Sequence, residues 1–136
     1  MKIIIICSKH FYNRIPKIQK ELESAGHKVM LPNSYEEPFK EEVLKKQDKQ
    51  EHIIWKQNMM KLHEPKIKQN DAVLVLNFTK NNIPNYIGGA TFMEIIKAWE
   101  LNKKVFFYNN LPNCCFTDEL IGINPTILNQ NLNLIK

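Results

Sequence analysis

The chain has 136 residues, the size of one ordinary domain, and 43% of them are hydrophobic, enough to fill a core without metal or disulfide staples. The formal charge is +5, yet Arg14 is the sole arginine, and bidentate reading of phosphate or guanine prefers arginine to lysine, which argues against a nucleic-acid partner. No apolar run nears the roughly 20 residues of a membrane helix, the apolar start is strand-length rather than a signal peptide, and three cysteines make neither metal-ligand spacing nor an even disulfide set, so a cytoplasmic protein with reduced thiols is expected.

Residues 2–7 form a continuous β-branched apolar run, the mark of a strand covered on both faces. A helix is predicted over 13–25, with Ile15, Ile18 and Leu22 on one face and Gly26 placed to end it in the left-handed conformation. Residues 27–31 are a second strand, closed by Pro32. This strand–helix–strand unit predicts a right-handed crossover and parallel pairing. Pro38 opens a helical region that continues to Leu62, as one long helix or two joined by a break. Its middle, 47–52, is almost wholly polar, so it is expected to leave the sheet and project toward a partner subunit. Pro65 starts a further helical turn. Residues 72–77 are a third strand, followed by a long asparagine-rich loop at 78–87, a candidate binding loop. A helix over 88–101, a fourth strand at 104–108, a short helix capped by Thr117 and an edge strand at 126–128 complete one domain. The pattern predicts an α/β fold, a Rossmann-like three-layer sandwich with a mostly parallel sheet of about five strands.

In open α/β sheets ligands bind beyond the carboxyl ends of the strands. The helix 88–101 rises from that edge. On its wheel Phe92, Ile95, Ile96 and Trp99 make the expected core stripe. Glu94 lies with Ala90, Lys97, Ala98 and Leu101, beside small and apolar residues. Gly88 and Gly89 leave the helix start bare of side chains, which suits an anion. The same helix end is expected to favour an ionised Glu94, the state a nucleophile needs. The plain alternative is an exposed Glu94 paired with Lys97. Ser8, Lys9, His10, Tyr12 and Arg14 follow the first strand and are candidates to line the same pocket, with Lys9 or Arg14 on a phosphate. Asn77, Asn85 and Tyr86 are further candidate substrate contacts.

The order DAVLVLN, loop, GGATFMEIIKAWELNKKVFF resembles the core of the nucleoside 2-deoxyribosyltransferase superfamily, which includes 2′-deoxynucleoside 5′-phosphate N-hydrolases. The likeness covers residues 71–107 well and the opening strand and helix loosely. It implies that Glu94 is a nucleophile in a retaining displacement at C1′ of a nucleoside or nucleoside 5′-monophosphate, by hydrolysis or transfer. It also implies a homodimer, because related enzymes often complete the site from a neighbouring subunit. Two positions depart from the family. An Asp or Ser six residues before the glutamate is replaced by Gly88, and in place of an Asp several residues before DAVLVLN the chain offers His63 and Glu64, the candidate proton carriers.

No GxGxxG follows the first strand, and His27, His52 and His63 form no zinc spacing, so no cofactor or metal is expected. The competing reading is a non-catalytic nucleotide-binding or sensing domain on the same scaffold. A further one is an interaction protein that uses the polar 47–52 segment.

Overall fold

The computed structural model describes residues 1–136. Lys2–Ile6 forms β1, whose four isoleucines are all buried. A strand apolar on both faces belongs in the middle of a parallel sheet. β1 accordingly pairs in parallel with β2 (Lys28–Met30) on one side and β3 (Ala72–Val75) on the other. β4 (Lys104–Phe107) and β5 (Thr126–Ile127) complete a five-stranded parallel sheet in the order β2-β1-β3-β4-β5. This is the α/β, Rossmann-like sandwich that the sequence predicts.

On one face of the sheet α1 (Ile15–Ser24) packs Ile15, Ile18 and Leu22 against Ile3 and Ile5, joined by Leu132 and Ile135 of the last segment. On the other face α4 (His63–Lys68), α5 (Gly89–Glu100) and α6 (Thr117–Ile123) set Ile67, Ile95 and Leu120 against Ile4, Ile6 and Phe107. β1 and β3 are neighbours, but β1 leads outward to β2 while β3 leads the other way to β4. The chain therefore leaves their carboxyl ends in opposite directions, and a crevice opens between them. No helix is long and apolar enough to cross a membrane.

Gly26 has φ +92°, and the His27 N–H donates to Leu22 O while the Gly26 N–H donates to Glu23 O. These are the two bonds of a Schellman end, which needs a left-handed residue. Asn102, at φ +56°, closes α5 with the same pair of bonds, from the Lys103 N–H to Ala98 O and from the Asn102 N–H to Trp99 O. Asparagine tolerates this conformation better than other side chains.

The polar helical region is two helices, α2 (Lys40–Gln47) and α3 (Lys49–Lys61). Asp48 separates them in an extended conformation, and its Oδ1 accepts the N–H groups of Gln50 and Glu51 at 2.9 and 3.2 Å. Leu44 is the one buried side chain of the pair. As expected, this segment does not pack on the sheet. It folds over the crevice instead, and its polar residues line the opening.

Three local expectations are corrected. The helix expected at 13–25 is preceded by a 3-10 turn, Lys9–Arg14, capped by Ser8, and becomes α-helical only at Ile15 beside Pro16. Thr117 does not cap α6. Its hydroxyl donates within the 112–117 turn and accepts the Cys114 N–H at 2.8 Å, so it fastens the preceding turn. The buried stripe of α5 is Thr91, Ile95 and Ala98, one position round from the expected one, and Trp99 is 51% exposed.

Asn77, a candidate substrate contact in the sequence, is fully buried and structural. Its Nδ2 donates to the carbonyls of Asn109 and Asn110 at 3.2 and 2.7 Å, and its Oδ1 accepts the Asn109 N–H at 2.9 Å. The side chain thus extends the β3–β4 pairing beyond the strand ends. Asn77→Ala removes three hydrogen bonds to the Asn109 and Asn110 backbone, each with a net worth of about 0.5–1.5 kcal/mol. Urea denaturation of the variant is expected to show a loss of at least that size; an unchanged midpoint contradicts the structural role.

Candidate active site

A cavity of about 630 Å³ occupies the crevice beyond β1 and β3. Cys7 and Ser8, at the end of β1, form part of its floor. Gly88, Gly89, Thr91 and Glu94 enter from the start of α5, and His63 from the start of α4. α2 and α3 supply a wall with Trp55, Met59 and Met60 among charged residues.

Glu94 sits beside the buried stripe of α5 and turns into this cavity. Its side chain is 12% exposed, its Oε1 lies 4.0 Å from His63 Nε2, and no protein group hydrogen-bonds to it. Burial pushes the carboxyl up to about 8, against the opposing pull of Lys66 and Lys56. The ionised state expected from the sequence is therefore not the resting one. Glu94 is the sixth residue of α5, about 7.5 Å along the axis from the first, and the helix dipole fades within the first turn. Desolvation outweighs it. The Lys97 pairing of the plain alternative is absent too, since Lys97 meets Glu64 and Glu100 instead.

His63 is buried and pushed down from its usual range, first by burial and then by Lys56 and Lys97. Near neutral pH the two facing groups are thus an uncharged carboxylic acid and an uncharged imidazole. Burial also raises the Cys7 thiol and the Tyr12 hydroxyl, and the charge of Glu94 adds to both.

The start of α5 has no side-chain cap. Gly88 has φ −82°, and a Cβ added at Gly89 would meet nothing within 4 Å, while one at Gly88 would make ordinary contact with Tyr86. Neither backbone nor packing demands glycine here. Their smallness leaves the first amides of the helix open to the cavity, a setting that attracts anions.

The α2–α3 wall is knitted by charge. Lys9 pairs with Glu42, and Glu41 accepts from His52 at 2.9 Å and Lys56 at 3.1 Å. Burial pushes Glu41 up, but these two hydrogen bonds together with nearby lysines hold it below its usual range. Lys45 and Lys80 line the cavity with no ion-pair partner of their own.

Of the residues singled out in the sequence, Ser8, Lys9, His10, Tyr12, His63, Tyr86, Gly88, Gly89 and Glu94 meet around this cavity. Four do not. Glu64 is exposed on the far side of α4, paired with Lys68 at 2.8 Å, because one residue along a helix turns the side chain about 100° away from His63. Arg14 and Asn85 face a separate cleft, and Asn77 is consumed by the β3–β4 junction. The residues not foreseen are Glu41, Glu42, Lys45, His52, Trp55 and Lys56. Of the polar stretch at 47–52 only His52 reaches the cavity, and the other five come from the flanking turns, where nothing in the sequence separates a cavity wall from a solvated face. No family model and no curated protein sequence matches the chain, and the likeness at 71–107 stands on those residues alone.

A raised carboxyl has a consequence for stability. Between pH 4.5, the ordinary value, and about 8 the folded state holds a proton on Glu94 that the unfolded chain releases, so stability falls as pH rises through that window. At pH 7 the cost is on the order of 3 kcal/mol. Glu94→Gln is expected to raise the thermal midpoint at pH 7 and to show little gain at pH 4.5. A variant that is less stable than the parent at pH 7 overturns this burial account.

Proposed function

We propose that the protein cleaves or transfers at the N-glycosidic bond of a nucleoside or nucleoside 5′-monophosphate, through a covalent glycosyl–Glu94 ester. Beside the likeness at 71–107, the observation that supports this reading is the Glu94 carboxyl, largely buried with no hydrogen bond from the protein and turned into a cavity roomy enough for a nucleotide, beside bare helix amides. A carboxyl kept in that state at the mouth of a parallel sheet is costly to the fold, and such costs concentrate at functional sites. The unpaired Lys45 and Lys80 at the cavity favour an anionic substrate, which supports the monophosphate over the free nucleoside.

In this mechanism His63 takes the proton from Glu94. The freed carboxylate attacks C1′ as the C1′–N bond breaks, and the base leaves with the bonding pair and the proton from His63. The sugar remains as an ester on Glu94. Water or a second base then attacks C1′, the ester bond breaks, and the proton released by the incoming group returns through His63. The pair needs one proton in total. Activity should therefore be greatest between the lowered His63 value and about 8, and fall on both sides.

Base release from a panel of nucleosides and 5′-monophosphates tests the reading. Release is expected from the native protein, with Glu94→Gln at least 10³-fold slower, as for loss of a nucleophile (on the order of 4 kcal/mol). His63→Gln is expected to lose the fall above pH 8 and instead gain rate as Glu94 ionises. Undiminished release by Glu94→Gln removes the nucleophile role.

The protonated state of Glu94 favours one other reading, a non-catalytic nucleotide-binding domain in which the acid donates a hydrogen bond to the ligand. Nucleotides would then raise the melting temperature, by about 2.7 kcal/mol of stability at 100 times Kd, with no base released across the panel.

A homodimer belongs to the same proposal. α2 and α3 turn charged residues toward the cavity and leave Phe39 70%, Ile54 52% and Ile53 47% exposed, an apolar outer face that a second copy would cover. Sedimentation is expected to give a dimer, with Ile53→Glu/Ile54→Glu a monomer; a monomeric parent contradicts this part.

A further inference from the structure

A second cleft, equal in volume to the first at about 630 Å³, lies across the 78–87 loop. Its ionisable side chains are His10, Arg14 and Lys80, of which Arg14 and Lys80 are cations and His10 is pushed toward the neutral form by burial and the nearby lysines; no Asp or Glu lines it. Arg14 is exposed and lies over the Phe78 ring, with its guanidinium carbon 4.1 Å from the ring centroid. Phe78 is itself fixed, edge-on to Phe11 at 5.5 Å and tilted against Tyr108 at 5.3 Å. Lys80 is placed in the same manner over Tyr86, at 4.6 Å. Stacking orients a cation but uses none of its N–H donors. Arg14 makes no ion pair and donates no hydrogen bond within the protein, and Lys80 likewise forms no ion pair. Asn85 and Asn81, held at φ +55° and +48°, add amide groups to the rim.

We infer that this cleft is a second anion site, distinct from the Glu94 cavity, and that it binds a phosphoryl group. The reasons are chemical. A guanidinium offers a planar fork that matches two phosphate oxygens, and here it is already oriented, so little side-chain freedom is lost on binding. Two cations and a histidine without a carboxylate leave a positive field that only an anion satisfies. His10 and Lys80 also border the Glu94 cavity, so the two sites share a wall. The phosphoryl group is either a free phosphate or pyrophosphate, or an outlying phosphate of a ligand whose sugar occupies the first cavity.

The chain's single arginine makes the test direct, because its Nε–H gives one side-chain resonance. Pyrophosphate and inorganic phosphate are titrated into the ¹⁵N-labelled native protein to roughly 10 mM, tenfold beyond a millimolar Kd. A saturable shift of the Arg14 signal is expected, and it should persist in Glu94→Gln, so failure of the glycosidic reading leaves it standing. By calorimetry Arg14→Ala is expected to bind pyrophosphate at least tenfold more weakly and Arg14→Lys to recover part of the loss. If a nucleoside 5′-diphosphate shifts Arg14 and pyrophosphate competes with it, the phosphate belongs to the cavity ligand. If pyrophosphate and a nucleoside 5′-monophosphate bind together, the anion is separate. No shift, or pyrophosphate affinity unchanged in Arg14→Ala, overturns the site.

Discussion

Ile3–Ile6 of β1 pair in register with Ala72–Val75 of β3, and all eight side chains are buried. Roughly 1.5–3 kcal/mol accompanies full burial of each large aliphatic side chain, so this pairing is the fixed axis of the fold. Its direction matters as much as its strength. Because the two strands run parallel and send the chain to opposite sides, no segment can close over their carboxyl ends from the sheet itself. The opening is covered instead by α2 and α3, which add one buried side chain between them and are tied to the β1 end by the Lys9–Glu42 ion pair and to the 31–35 turn by the Asn33 Nδ2–Met59 carbonyl hydrogen bond. A cavity at this point follows from the strand order.

Glu94 is where local stability and the proposed chemistry pull against each other. A buried carboxyl without a hydrogen-bond donor is disfavoured in its charged form, and the protein meets this by keeping the proton. His63, 4.0 Å away and also held neutral, is the one neighbouring group able to accept it. The pair therefore stores a proton in a place where a departing base would need one. Lys56 pulls Glu94 toward ionisation and His63 toward the neutral form, and it is anchored in turn by Glu41. The α2–α3 wall thus reaches the central pair electrostatically as well as by shape.

The sheet was legible because its signals are local. Unbroken apolar runs at 3–7 and 72–76 mark buried parallel strands, and Gly26 marks the end of α1 by its position alone. Glu94 was legible from its place on the α5 wheel beside Ala98. What the sequence obscured depends on tertiary placement. Its helix position suggested an ionised Glu94, and burial reversed that. Adjacent residues His63 and Glu64 were equivalent in sequence, but a helical turn directs one inward and the other to Lys68. Arg14 belongs to a different cleft because the 3-10 turn at 9–14 carries it past the first cavity to Phe78. The α2–α3 wall was not foreseen, since charged side chains that line an aqueous cavity and those of a solvated surface have the same composition.

The ionisation of Glu94 is the most direct measure of this account. The carboxyl carbon of Glu94, assigned by comparison with Glu94→Gln, can be followed by ¹³C NMR from acid to alkaline pH in the ligand-free protein. The account predicts a midpoint near 8, with the His63 ring carbons titrating below their usual range. A Glu94 midpoint near 4.5, the ordinary value, would contradict it, because the carboxyl would then be as well solvated as one on the surface.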